Sequence, residues 1–356
     1  MDERSIAAYD YELPAALIAQ SPARRRDGAR LMIVRDEAFA DRTFAELAEI
    51  LRPGDLLVLN ETRVIRARLG ARRESGGRVE VLLLHPQGGG YDPHASAWRA
   101  LVRPAKRVRE GDRLSLYARD GEALGSATIT RTLAGGLREL HLELALAFEP
   151  FLERAGRLPL PPYIHNESED AQERYQTVFA RMPGSVAAPT AALHFTRELL
   201  ERLESRGIEI AKLSLDVGLG TFAPMRGARI DEHEMHAERY AIPSDTAGRI
   251  ARARAEGRRI VAAGTTVVRA LEDAALAGSR SKTALFIAPG FRFRVVDAMI
   301  TNFHLPRSTL LVLVSAFAGR DLVLRAYRAA IDRGYRFFSF GDAMLLQRRE
   351  RRDSEA

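Results

Sequence analysis

The chain has 356 residues, 46% of them hydrophobic, with no cysteine and a formal net charge of +7 at neutral pH. That length exceeds what one hydrophobic core usually serves, so two folded domains are expected. The missing cysteines exclude disulfides, thiolate nucleophiles, cysteine-bound iron–sulfur clusters and cysteine-rich zinc sites.

The first residues, Met1-Asp-Glu-Arg4, carry no basic leader followed by an apolar segment. The longest mostly apolar run, 310–318, is far shorter than the roughly 20 residues that cross a bilayer, so a cytoplasmic chain without membrane association is expected. A strand is predicted at 31–34, then a helix opened by the capping box Thr43-Phe-Ala-Glu46, then a strand at 56–59. Between 66 and 148 the pattern changes to short alternating segments at 79–84, 98–102, 113–116, 127–132 and 137–144, separated by glycine-rich turns. Such spacing predicts a small β-barrel.

After Leu158-Pro-Leu-Pro-Pro162 the α/β rhythm returns, with a helix over 196–206 stopped by Gly207 and a strand over 208–217. Further helices are predicted at 244–256, 265–276 and 321–333, alternating with strands at 259–263, 284–287 and 309–314. The fold class read from this order is α/β: a main domain with a mixed or parallel sheet covered by helices, plus an inserted small β-barrel. The main domain is assigned to 1–65 and 157–347, the barrel to 66–156, and the charged tail 348–356 is expected to fray.

Several segments have the composition of a site. Asp297-Ala-Met-Ile-Thr-Asn-Phe-His-Leu-Pro-Arg-Ser-Thr309 crowds an acid, an amide, an imidazole and a guanidinium before an apolar run, although a loop leading into a buried strand would also use these residues. Leu213-Ser-Leu-Asp-Val-Gly-Leu-Gly-Thr221 resembles the glycine loop of a methyltransferase, a strand that ends in an acid followed by glycines. Phe222 and Pro224 oppose the helix that such a loop should enter. Ile260-Val-Ala-Ala-Gly-Thr-Thr-Val-Val268 runs a strand through Gly264 into Thr265 and Thr266 at a helix start, where free amides and hydroxyls suit a carboxylate or phosphate; ordinary capping explains the threonines equally well.

His233 and His236 sit among three glutamates, but the spacing is not that of a zinc helix and no third ligand is near in sequence, so no metal is expected. Pro289-Gly-Phe-Arg-Phe-Arg294 interleaves rings with guanidinium groups, as single-stranded RNA recognition does and as an amphipathic strand also does. Arg63 and Arg66, just after the strand at 56–59, suit phosphate or carboxylate, with a solvated turn as the alternative.

Together with Val186-Ala-Ala-Pro-Thr-Ala-Ala-Leu-His-Phe-Thr196, Asp216 to Phe222 and Ser339-Phe-Gly-Asp-Ala-Met-Leu345, the segment 297–309 closely resembles the S-adenosylmethionine:tRNA ribosyltransferase-isomerase family, which forms epoxyqueuosine. The resemblance runs from Tyr9-Asp-Tyr-Glu-Leu-Pro14 to Leu346. It departs from the family's usual wording at Ala192, where glycine is common, and at Glu61, where aspartate is usual. It implies a transferase that moves the ribose-derived part of S-adenosylmethionine onto a 7-aminomethyl-7-deazaguanine base at the tRNA wobble position, releasing adenine and methionine. S-adenosylmethionine is then a consumed co-substrate, no further cofactor is implied, and a monomer is compatible with all of this.

Under that resemblance a base must remove a proton beside the sulfonium, and a second group must assist departing adenine. Asp297 or a glutamate of the segment Glu232 to Glu238, Glu234 foremost, is the expected base, with His304 or His236 at the leaving group. Asp216, Gly218, Gly220, Thr221, Phe222, Gly264, Thr265, Thr266, Asn302, Thr190 and His194 are the expected substrate-binding residues. Arg63, Arg66, Phe291, Arg292, Phe293, Arg294 and Arg307 are the expected tRNA contacts. Two other classes compete: an S-adenosylmethionine-dependent RNA methyltransferase, suggested by Asp216 to Gly220, and a non-catalytic RNA-binding protein, suggested by the basic charge and the barrel.

Overall fold

The computed structural model describes residues 2–35, 38–89, 91–218, 225, 227–278 and 281–349. They form two compact units, one of 1–62, 162–180 and 188–356, the other of 63–161 and 181–187. The α/β class with an inserted barrel is what the strand order shows.

In the larger unit a mixed nine-stranded sheet runs, in spatial order, Lys282–Thr283, Glu238–Ala241, Glu209–Leu215, Leu56–Asn60, Ile260–Ala263, Ala298–Asn302, Ala343–Gln347, Arg30–Arg35 and Ala38–Thr43. The four strands from Glu209–Leu215 to Ala298–Asn302 are mutually parallel, and Ala343–Gln347 joins them antiparallel. Leu56–Asn60, Ile260–Ala263 and Ala298–Asn302 are buried at every position, the signature of strands covered on both faces. On one face Leu57, Leu59, Val261, Ala263 and Ile300 pack with Leu47, Leu199 and Leu203.

Local chemistry accounts for the helices. Thr196 accepts from Leu199 N at 3.0 Å to start Arg197–Ser205, whose Leu199 and Leu203 lie one turn apart on the buried side. Gly207, at φ 79°, ends it in a conformation that only glycine adopts cheaply.

Two segments fold differently from the sequence reading. The apolar run at 309–314 is no strand but the first part of the helix Thr309–Ala318, with Ser308 Oγ accepting from Leu311 N at 3.2 Å. A short apolar run has no polar period to tell a buried helix from a buried strand, and here the cap decides. The strand expected at 284–287 is absent, and Lys282–Thr283 pairs with Glu238–Ala241 instead. The missing central strand is Ala298–Asn302, inside the segment read as a loop.

The smaller unit is a closed antiparallel barrel. Its six strands are Arg68–Arg73, Arg78–Pro86, Ala97–Arg103, Leu137–Leu144, Ala123–Thr132 and Arg113–Tyr117, and the first and last pair to complete the ring. Inward positions such as Val81, Leu83, Trp98, Ala100, Leu114, Leu116 and Leu140 are buried, alternating with outward polar residues. Gly156–Arg157 adds a short pairing beside Arg68–Arg73.

Candidate active site

The C-terminal ends of Ile260–Ala263 and Ala298–Asn302 open onto a pocket with about 640 Å³ of empty space, part of it continuous with solvent. Open α/β sheets present ligands at this edge. Gly264, at φ 104°, turns the chain from strand into the helix Thr265–Ala277, and its N–H is taken by Ile300 O at 2.8 Å. The first-turn amides of Thr265 and Thr266 have no intrahelical carbonyl to reach, so the positive end of a 13-residue helix faces the pocket. Thr266 Oγ1 is buried there without a hydrogen-bond partner.

Asn302 stands opposite. Its Nδ2 donates to Phe338 O at 3.0 Å and approaches His194 Nε2 at 3.3 Å. The carbonyl fixes which way the amide faces, so His194 accepts, and Asn302 Oδ1 is left buried with no partner. An unpartnered buried polar group costs about 1–3 kcal/mol, and this pocket wall carries two, Thr266 Oγ1 and Asn302 Oδ1.

The wall is aromatic. Tyr163 and Phe338 stack with centroids 4.6 Å apart and planes at 27°, and the Tyr163 hydroxyl meets Ser339 Oγ at 2.6 Å. Phe338 has φ 71°, a left-handed conformation that a bulky side chain rarely adopts. It is held there because its N–H donates to Phe303 O at 3.1 Å and its carbonyl accepts from both Asn302 and Gly341 N.

His304 lines the same pocket, with Nε2 2.9 Å from Thr301 Oγ1 and its backbone N–H donating to Tyr327 Oη at 2.9 Å. Burial pushes its imidazole down to about 3. Burial, with Arg336 next, lowers His194 to about 4. Both rings are neutral at pH 7.

Asp216 follows the strand Glu209–Leu215, one residue before the pocket residue Val217. Burial raises its carboxyl to about 6, against the opposing pull of Arg239 and of Thr62, whose Oγ1 is 3.5 Å away. The folded value thus exceeds the ordinary 3.8, so the folded chain binds this proton more tightly than the unfolded one. Its unfavourable contribution is absent below about pH 4 and fully present above about pH 6. Asp216→Asn is therefore expected to gain stability relative to the parent as pH rises from 4 to 7, read as the difference in urea midpoint; a difference independent of pH would refute the burial argument.

Of the residues singled out from sequence, the structure brings together Thr190, Gly264, Thr265, Thr266, Asn302 and His304 on the pocket wall, with His194 directly behind Asn302. Gly218 N donates to Glu238 Oε1 at 2.9 Å, and Glu238 is ion-paired with the buried Arg269. Gly220, Thr221 and Phe222 lie outside the described residues.

Asp297 is set apart. It precedes Ala298–Asn302 at the opposite edge of the sheet, where Oδ2 accepts from Ile260 N at 3.0 Å and Oδ1 pairs with Arg348 at 3.0 Å. Its partners are structural, and sequence proximity to His304 misled because five strand residues separate the two sheet edges. Glu234 and His236 are exposed on the loop before Glu238–Ala241, and the buried acid of that segment is Glu238.

Phe291 and Phe293 do not extend from a strand. Phe293 packs edge-on against Phe317 at 5.0 Å, while Arg292 and Arg294 are exposed and the backbone N–H of Arg294 donates to buried Glu272. Arg307 pairs with Asp10, Arg66 pairs with Glu153 at 3.0 Å, and Arg63 is exposed. Ala192 departs from glycine at no backbone cost, since it is not among the positive-φ residues. Reasoning from sequence missed Tyr163 and Phe338, and it gave no role to Ser308 inside the segment 297–309. Tyr163 directly follows the proline connector and Phe338 directly precedes Ser339, so each stood one residue outside a segment already singled out.

Residues 6–346 match the family model described as "Queuosine biosynthesis protein". The chain belongs to that family. The S-adenosylmethionine:tRNA ribosyltransferase-isomerase of Anaeromyxobacter dehalogenans strain 2CP-C is 52% identical, with 97% of this chain and 99% of that relative covered. The protein of the same name from Heliobacterium modesticaldum is 50% identical, covering 96% and 99%. The crystal structure of S-adenosylmethionine tRNA ribosyltransferase from Thermotoga maritima is 38% identical, covers 95% of this chain and 99% of that one, and superposes with a TM-score of 0.53. Membership of the queuosine biosynthesis family bears out the resemblance read from the motifs and makes this chain an enzyme of that class. The methyltransferase reading is not favoured: among the described residues no α-helix lies between Leu215 and Ser244, and the next sheet strand, Glu238–Ala241, is antiparallel.

Proposed function

We propose that this chain is an S-adenosylmethionine:tRNA ribosyltransferase-isomerase acting in the cytoplasm on tRNA that carries 7-aminomethyl-7-deazaguanine. The observation that carries the pocket assignment is the pair of buried, unpartnered atoms, Thr266 Oγ1 and Asn302 Oδ1, beside an open helix N-terminus and an aromatic stack. The amides of Thr265 and Thr266 suit the methionine carboxylate of the donor. The Tyr163–Phe338 wall suits a purine face, and Asn302 Oδ1 suits an amino or hydroxyl donor.

The sulfonium acidifies the adjoining ribose carbon. Removal of that proton opens the sugar with loss of adenine, the base's neutral amine takes up the ribosyl carbon, and closure to an epoxide releases methionine. Asp216, one residue before the pocket residue Val217, is the carboxylate we assign to the sulfonium, whose positive charge would draw its pKa down from about 6. His304, neutral at pH 7, serves departing adenine by a hydrogen bond instead of as a standing imidazolium.

The test supplies labelled S-adenosylmethionine with tRNA carrying the aminomethyl base, and with matched tRNA carrying guanine. Adenine and methionine are expected from the first alone. S-adenosylhomocysteine together with a nucleoside heavier by one CH₂ would overturn the proposal.

A further inference from the structure

The barrel carries a second concavity, a groove with about 1480 Å³ of empty space, much of it open to solvent. Five arginines line it, Arg68, Arg72, Arg78, Arg119 and Arg157, against a single acid, Glu80. Glu80 approaches Arg68 at 3.9 Å, and Arg119 spends one nitrogen on Gly156 O at 3.0 Å. Arg72 and Arg78 are both exposed, and no acid among the described residues forms an ion pair with either.

The register makes this pair unusual. Arg72 and Arg78 are direct partners across the antiparallel strands Arg68–Arg73 and Arg78–Pro86, so two guanidinium groups project from one face side by side. Like charges directly opposite each other destabilise a sheet, and the groove's one acid, Glu80, forms no ion pair with either among the described residues. An anion lying on the groove would compensate for them.

Gly70 supplies a second, independent observation. It sits between Arg68 and Arg72 on the same outward face, pairs with Glu80, and is not among the positive-φ glycines. A Cβ there would meet nothing within 4 Å. Neither backbone strain nor a packed neighbour requires glycine, and glycine weakens a strand interior. What it leaves is a bare stretch of floor, flanked on both sides by arginine, where another chain's backbone can approach closely. Tyr117, whose ring lies 5.9 Å from the Arg72 guanidinium, adds an aromatic surface to one wall.

We infer that this groove is a docking surface for the phosphodiester backbone of tRNA, with Arg72 and Arg78 on successive phosphates and Gly70 as the floor. The choice of RNA as partner rests on the proposed function; the anion chemistry rests on the groove alone. Guanidinium forks match phosphate oxygens, and each such contact releases counterions on binding.

The experiment measures equilibrium binding of tRNA to full-length protein across a salt series, together with adenine release at saturating tRNA. Arg72→Glu/Arg78→Glu is expected to raise the tRNA Kd by about tenfold or more and to lower the log–log salt slope by about two, with the maximal rate of adenine release unchanged. Gly70→Val is expected to leave the thermal midpoint equal to or above the parent's while weakening tRNA binding severalfold, a combination that a merely structural glycine would not give. Arg72→Gln/Arg78→Gln repeats the test without new negative charge should the reversed pair misfold. A Kd and slope equal to the parent's in the arginine variants would overturn the inference, as would parental affinity in Gly70→Val. Binding needs no turnover, so a parent protein that releases no adenine refutes the proposed reaction alone, while unchanged binding in the variants refutes the groove alone.

Discussion

Asn302→Ala is expected to lower kcat/KM for adenine release by about a hundredfold and to cost about 2–4 kcal/mol of folding stability. One side chain does two jobs. Oδ1 offers the pocket an acceptor that nothing in the protein uses, while Nδ2 donates to the Phe338 carbonyl at 3.0 Å and lies against His194. Truncation removes the ligand's partner, leaves a buried carbonyl with one donor fewer, and loosens the aromatic wall. Asn302→Asp keeps the volume but turns an acceptor toward the Phe338 carbonyl, so it should be no better than alanine. A hundredfold loss is about 2.7 kcal/mol of transition-state stabilisation, within reach of one directed hydrogen bond plus a displaced ring. Steady-state adenine release and a urea titration on the same preparation check both halves. A variant with parental kcat/KM would remove Asn302 from the pocket's chemistry.

Gly341→Ala is expected to destabilise the larger unit by at least about 3 kcal/mol. A Cβ at 341 would stand 2.5 Å from Arg336 O and 2.6 Å from the Phe337 carbonyl carbon, both backbone atoms with no rotamer to escape into. The loop cannot yield easily. Buried Asp342 clamps it on both sides, accepting from Arg30 N at 2.9 Å and Arg336 N at 2.8 Å, and Gly341 N itself donates to Phe338 O. Gly248→Ala is the counterpart with opposite sign. It lies inside the helix Ser244–Ala255 with nothing within 4 Å of the new methyl, so alanine should stabilise by about 0.5–1 kcal/mol. Denaturant midpoints with an unchanged m-value check the pair, and equal shifts would refute the steric argument.

The parts of the fold legible in the sequence were those with local signatures. Thr196 and Gly207 bracket their helix by capping chemistry alone, and alternation in segments such as 137–144 reveals the barrel without knowledge of partners. The run at 309–314 was opaque because its burial is all-round, which removes the polar period that separates helix from strand.

The site divides the same way. Gly264, Thr265 and Thr266 announce a strand-to-helix turn, and Asn302 and His304 stand out as polar residues in an apolar setting. Pairings over long separations were invisible: Glu238 with Arg269, Asn302 with His194, and Asp297 with Arg348 carry no mark in the sequence that says which partner each will find. Asp297 shows the cost of reading by adjacency, since a strand moves its two ends to opposite rims of the sheet.

Phe338 holds an L-residue on the left-handed side of conformational space at an expense on the order of 1–3 kcal/mol. That sum is met by the folding of the whole domain, not by the incoming substrate. The ring is already stacked on Tyr163, so a planar guest at this wall would forfeit little side-chain freedom in covering it.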